Sequence, residues 1–201
     1  MAGDAGAVPF VGLTGGMGAG KSEALAALER LGAATLSTDA VVHELLTGPA
    51  LGTLIAERFG DEAAPGGTVD RDTLAAVVFE QPAEREWLEG VLWPLVGQRV
   101  IEWRAGVTAL APPPPAAVVE VPLLFESGMD AAFDHTIAVV ADDEVRAERM
   151  AARGHRGTEG RDARQLTQDE KAARASFAVR NEGTIDELEE KLRRLLDRIR
   201  A

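Results

Sequence analysis

Lys21 and Ser22 close a run of small residues, Gly15-Gly16-Met17-Gly18-Ala19-Gly20, whose order suits one kind of chemistry. The spacing G-x-x-x-x-G-K-[ST] is that of a loop wrapped around the phosphates of a nucleotide. Four glycines among eight residues let backbone N–H groups turn inward where side chains would collide. Lys21 supplies a cation, and the Ser22 hydroxyl is of the type that ligates the Mg²⁺ accompanying the phosphates. Two further groups suit the same chemistry. Asp39 stands where a general base toward an acceptor hydroxyl would stand, and equally where an Asp would cap a helix from Ala40 to Leu46. Arg146, Arg149, Arg153, Arg156, Arg161 and Arg164 fall within 19 residues that hold only Glu148, Glu159 and Asp162 as acids. Such a cluster can neutralise phosphate charge in a transition state, or simply form a solvated basic face.

The elements around these residues must place them. Pro9 to Leu13 reads as a short buried strand, and Glu23 to Leu31 as a helix stopped by Gly32. That order aims a helix N-terminus, with its unpaired N–H groups and the positive end of its dipole, at the loop. Ala34 to Ser37, Ala116 to Val121, His135 to Val140 and Ser176 to Asn181 read as further strands. Residues just past strand C-termini line the ligand crevice of a parallel sheet, which is where Asp39 falls. Glu120, an acid at the end of an apolar strand, suits either a Mg²⁺ shell or a hydrogen bond to nearby backbone.

From Ala40 to about Leu110 the pattern is helical, too long for a simple βα connection, and it reads as an inserted helical subdomain. Its Trp87, Trp93 and Trp103, with Phe59 and Phe79, suit a helix core or a ligand platform. Pro112 to Pro115 form a stiff spacer back to the sheet. Gly154 to Glu170 holds a single large aliphatic residue, Leu166, and is expected to be a mobile flap carrying arginines toward phosphate. Thr184 to Glu187 reads as a capping box opening an amphipathic last helix.

At 201 residues the chain suits one α/β domain with insertions. It has no cysteine, no apolar run long enough to span a bilayer and no signal-like start, so a cytoplasmic location is expected. A net charge of −12 argues against general nucleic-acid binding, which needs a basic face. The expected partners are small molecules, with no membrane and no nucleic acid, and the chain is expected to be a monomer or weak homo-oligomer.

From end to end the chain resembles the dephospho-CoA kinase family. The resemblance rests on Gly12 to Ser22, on Ser37-Thr38-Asp39-Ala40-Val41-Val42-His43, on Val121-Pro122-Leu123-Leu124-Phe125-Glu126, and on Gln165 to Ala175 with Asn181 beyond. It implies a five-stranded parallel sheet with helices on both faces, an inserted helical substrate domain and a lid. In this chain the nucleotide-binding core would be residues 8–44, 112–150 and 172–201, the CoA-binding insertion 45–111, and the lid 151–171. The implied activity is transfer of the γ-phosphoryl of ATP, with Mg²⁺, to the ribose 3′-hydroxyl of dephospho-CoA, giving coenzyme A and ADP. The resemblance implies Asp39 as base, with Lys21 and Arg149 also catalytic. Gly15, Gly16, Met17, Gly18, Ala19, Gly20, Lys21, Ser22, Arg149, Arg153 and Asn181 would bind the nucleotide, and Ser22 the metal. Thr14, Asp39, Pro122, Leu123 and Phe125 would face the acceptor.

This chain departs from the family pattern in places. Ser37-Thr38-Asp39 keeps only the last acid of the usual Asp-Ala-Asp, and Trp93-Pro94 replaces a common His-Pro pair. The competing readings are another small-molecule kinase with the same loop, of nucleoside, nucleotide or shikimate type, and a GTPase-like switch. The switch would need N-K-x-D and D-x-x-G, and the chain contains neither.

Overall fold

The short apolar runs pair side by side because parallel strands need long crossovers and burial on both faces. The computed structural model describes residues 7–152 and 165–201. Five strands, β1 (Phe10–Gly15), β2 (Ala34–Ser37), β3 (Ala117–Glu120), β4 (His135–Val140) and β5 (Phe177–Arg180), lie in the order β2-β3-β1-β4-β5. Every pairing is parallel. The α-helices of the described residues are α1 (Lys21–Arg30), α2 (Thr38–Thr47), α3 (Pro49–Phe59), α4 (Arg71–Glu80), α5 (Pro82–Thr108), α6 (Asp143–Ala152), α7 (Gln168–Arg174) and α8 (Ile185–Arg200).

The chain forms two compact units, one of Met1–Ser37 with Arg104–Ala201 and one of Thr38–Trp103. In the first, strand alternation sorts side chains between the two faces of the sheet. Val11, Leu13, Val118, Ile137 and Val139 share a core with Ala24, Ala27 and Leu28 of α1 and the apolar stripe of α8. That stripe contains Leu188 and Leu192, which are fully buried or nearly so. On the opposite face a Cβ at Gly12 would stand 2.9 Å from Phe133 and 3.1 Å from Leu124. There the β3–β4 connection lies against the sheet, and α7 packs on β4, β1 and β5. This division follows from handedness. The β1–β2 crossover runs one way along the sheet and the later crossovers run the other, so right-handed connections place them on opposite faces.

In the second unit, Leu46, Leu51, Ile55, Ala63, Val69, Leu74, Leu88 and Leu92 make a separate helical core. Asp70 caps α4 by accepting from the Thr73 N–H at 2.9 Å. Of the aromatic residues, one pair takes the core role. Phe59 and Trp87 pack edge to face with ring centroids 5.4 Å apart, whereas Phe79 and Trp93 are exposed. A single helix, α5, runs through Pro94. Among the described residues no helix is long and apolar enough to cross a membrane.

Candidate active site

The glycine run forms the turn between β1 and α1, as its residue types require. Gly20 has φ +92 and ψ 32, a left-handed conformation open to glycine at little cost, and it ends the loop where α1 begins. Gly20 makes no side-chain cap of that end, and the first turn of a helix has no intrahelical acceptors for its N–H groups. Such a helix start favours an anion. α1 begins at Lys21, two residues earlier than its apolar pattern suggests, because the loop geometry itself starts the helix. The Lys21 ammonium donates to the Gly15 carbonyl at 3.1 Å and the Gly16 carbonyl at 3.2 Å, which folds it back over the loop. Ser22 is exposed on the same turn.

Three side chains far along the chain hold this loop in shape. Asn181, buried just past β5, donates its amide N–H to the Ala19 carbonyl at 2.9 Å. Arg149, on α6, donates to the Asn181 carbonyl at 3.0 Å and to the Ala19 carbonyl at 3.5 Å. One turn earlier, Arg146 Nε donates to the Met17 carbonyl at 2.8 Å while its Nη1 pairs with Asp143 at 2.9 Å. A Cβ on Gly18, at φ +76, would press to 2.8 Å from the Arg146 carbonyl. The loop is thus suspended from α6 and the end of β5 as well as from its own strand and helix. Arg146 stands out in the sequence only as one arginine of a cluster, and its place on the loop requires the packing of α6.

A cavity of about 410 Å³ adjoins the loop, bounded by Gly16, Met17, Asp143, Arg146, Leu166 and Gln168 among others. Its far wall is the start of α7. There Thr167 and Glu170 form a capping box, with the Glu170 N–H donating to Thr167 Oγ1 and the Thr167 N–H to Glu170 Oε2 at 2.8 Å. The Thr167 N–H foremost, and then the Thr167 hydroxyl, which donates to the same oxygen at 2.9 Å, hold the Glu170 carboxyl below its ordinary value. Gln168 to Glu170, the last residues of the expected flap, are therefore the first turn of a helix. Arg153, Arg156, Arg161 and Arg164, with the rest of 153–164, lie outside the described residues.

At the C-terminal edge of the sheet, Thr14 is buried at the end of β1 and donates its hydroxyl to the Pro122 carbonyl at 3.2 Å. Leu123 is half-buried and Phe125 is 9% exposed, both in the turn after β3. Glu120 ends β3 in register with Leu13 of β1 and Ser37 of β2, and is buried. Asp39 lies in the helical unit, exposed on the first turn of α2, two residues past the end of β2. The helix starts at Thr38, so Asp39 sits inside the first turn rather than ahead of it, where its charge also complements the dipole.

The donor set suits a magnesium ion carried by phosphates. No group of three His, Asp or Glu side chains among the described residues could cage a metal. Mg²⁺ keeps several waters and needs only one or two protein oxygens beside the phosphates. The exposed Ser22 hydroxyl fits that demand, and Glu120 is the acid that ends β3.

Comparison with known proteins bears on which acceptor this loop serves. The family model for dephospho-CoA kinase matches residues 9–187. The chain belongs to the dephospho-CoA kinase family. The dephospho-CoA kinase of Anaeromyxobacter dehalogenans is 39% identical over 197 residues, spanning 95% of this chain and 92% of that protein. A crystal structure from Thermus thermophilus superposes with a TM-score of 0.79 at 32% identity, covering 96% of this chain and 98% of the other. A dephospho-CoA kinase structure from Campylobacter jejuni shares the fold with a TM-score of 0.64 at 19% identity, covering 95% and 97%. The stretch that the family model matches contains both the phosphate loop and Val121 to Glu126.

Proposed function

We propose that this chain carries the γ-phosphoryl of ATP to the ribose 3′-hydroxyl of dephospho-CoA, releasing coenzyme A and ADP. The observation that carries the reading is the loop from Gly15 to Ser22, shaped to bind phosphate, within a chain of this family. In this reading the loop amides and Lys21 hold the β- and γ-phosphates, and Asp39 orients the acceptor hydroxyl. The hydroxyl oxygen bonds to the γ-phosphorus as the bond to the bridging β–γ oxygen breaks. The departing proton passes to the Asp39 carboxylate, and ADP leaves with the bridging oxygen. Mg²⁺, when bound through Ser22 and the phosphates, neutralises part of the charge on the transferring group.

The transition state of phosphoryl transfer is loose, so most of the catalysis is positioning and charge neutralisation. A cation about 4 Å from a phosphate oxygen gains roughly 4 kcal/mol at an effective dielectric near 20, before desolvation. Lys21 and the arginines of residues 146–164 would therefore supply more than the carboxylate does. Asp39 is a weak base, contributing about 10²- to 10⁴-fold in rate through orientation and late proton transfer. We assign residues 45–111 to the CoA moiety, Thr14, Pro122, Leu123 and Phe125 to the acceptor, Arg149, Arg153 and Asn181 to the nucleotide side, and 151–171 to a lid.

The test is a coupled ADP-release assay with ATP and Mg²⁺ over a panel of acceptors containing dephospho-CoA, shikimate, nucleosides and nucleoside monophosphates. Turnover confined to dephospho-CoA is expected. Turnover on another acceptor, with none on dephospho-CoA, overturns the assignment.

A further inference from the structure

Lys171 is fully buried, yet nothing in phosphoryl transfer as described above uses it. Its ammonium donates to the Pro122 carbonyl at 2.6 Å and pairs with Glu126 Oε1 at 3.0 Å. The same Glu126 oxygen accepts from the Leu166 N–H at 2.9 Å. The other, Oε2, is buried without a hydrogen-bond partner among the described residues. Burying an ammonium and a carboxylate is costly, and apolar residues of similar volume often serve stability as well or better. The pair therefore needs a reason other than stability.

The backbone supplies one. β3 stays bonded to β1 through the Val121 N–H, which donates to the Leu13 carbonyl at 2.8 Å. β3 itself ends at Glu120, and beyond Val121 the chain leaves the ladder as a turn. There the Pro122 carbonyl is held by the Thr14 hydroxyl from β1 and by Lys171 from α7. Thr14 directly precedes the phosphate loop, and Leu166 borders the cavity beside that loop. One ammonium on α7 is thus tied to the turn after β3 and, by way of the carbonyl it shares with Thr14, to the strand that carries the loop.

We infer that Lys171, through Pro122 and Glu126, is a positioning residue that sets the distance between the phosphate loop and the turn 122–126. The functional half rests on the proposal that this turn faces the acceptor. The structural half, that the ammonium holds the turn in place, stands without it.

The experiment compares the parent protein with the apolar double variant Lys171→Met/Glu126→Leu, and with Glu126→Gln, which keeps a carbonyl acceptor. Amide hydrogen exchange is read first. Ser127 and Met129 donate within the turn to Leu123 and Leu124. Their exchange should quicken about tenfold or more in the double variant while the amides of α1 and α8 hold steady. Unchanged exchange at Ser127 and Met129 overturns the inference, whatever the acceptor. Steady-state kinetics follow. The expected result for the double variant is kcat/KM for dephospho-CoA down by about 10- to 100-fold, with the Kd for ATP within about threefold of the parent. Glu126→Gln, which keeps the acceptor but strips the buried ammonium of its counter-charge, should shift the same amides and the same kcat/KM by a smaller factor than the double variant. An equal loss for both substrates, or none, overturns the positioning role. If the double variant does not fold, Thr14→Val removes the other hold on Pro122 and should shift the same amides and the same KM. No shift there also overturns it. A parent inactive on dephospho-CoA would remove the acceptor assignment, and the exchange result would still decide whether Lys171 holds the turn.

Discussion

The side-chain amide of Asn181 donates to the carbonyl of Ala19, 162 residues earlier, and fills the space that a Cβ on Gly20 would enter. The phosphate loop is therefore shaped from outside as well as by its own glycines. Asn181→Ala should leave the buried Ala19 carbonyl with only the longer Arg149 contact, at a cost of about 1–3 kcal/mol. Urea unfolding should register that loss, and the KM for ATP should rise. Gly20→Ala should do more harm, because it adds left-handed strain to the collision. Normal values of both quantities in both variants would show that Asn181 does not shape the loop.

Asp39→Asn should unfold at nearly the parent's urea concentration, since residue 39 is exposed on a first helical turn. Its ATP affinity should be retained and its kcat reduced about 10²-fold or more. Single-turnover measurement with saturating ATP and dephospho-CoA separates chemistry from product release. Near-normal chemistry in this variant removes Asp39 from the base role.

Arg146→Ala removes the donor to the Met17 carbonyl and opens the wall of the 410 Å³ cavity. The first half of the loop should then loosen. ATP should bind about tenfold more weakly, equivalent to ~1.4 kcal/mol, and the unfolding midpoint should move little. Titration calorimetry with a non-hydrolysable ATP analogue tests this, and unchanged affinity would leave Arg146 as a surface residue.

The Thr167–Glu170 capping box gives α7 a pH dependence of definite sign. The folded-state carboxyl of Glu170 lies below its ordinary 4.5, first because of the Thr167 N–H and then because of its hydroxyl. The stabilisation is therefore complete above about pH 5 and is lost as pH falls through the lowered folded value. Amide exchange in Gln168–Arg174, corrected for intrinsic rates, should show protection falling below about pH 4. Glu170→Gln should flatten that profile, and an equally steep one would point to another group.

Within the helical unit, burial separates residues that composition groups together. Ile55 is fully buried, so Ile55→Ala should cost about 2–5 kcal/mol in chemical denaturation. Trp93 is 48% exposed, and Trp93→Phe should stay within about 0.5 kcal/mol. A large loss from Trp93→Phe would mean that its ring is covered in solution.

Local signals carried much of this protein. Glycine spacing, a lysine in the seventh place and an apolar run on each side suffice for a phosphate loop between strand and helix, because those constraints act over a few residues. The apolar face of α8 and its Thr184–Glu187 box are equally local, and so is the family resemblance. Sequence left open whether the aromatic residues form core or platform, because that depends on which helix faces another, and the fold sends Trp87 inward and Trp93 outward. Lys171 gives no sign of burial in a helix flanked by charges. Only the packing of α7 on the sheet takes its ammonium out of water and obliges it to find Glu126 and the carbonyl of Pro122. The same holds for Asn181 and Arg146. Their partners are loop carbonyls more than a hundred residues away, and a hydrogen bond at that separation exists only once the sheet has brought its strand ends together.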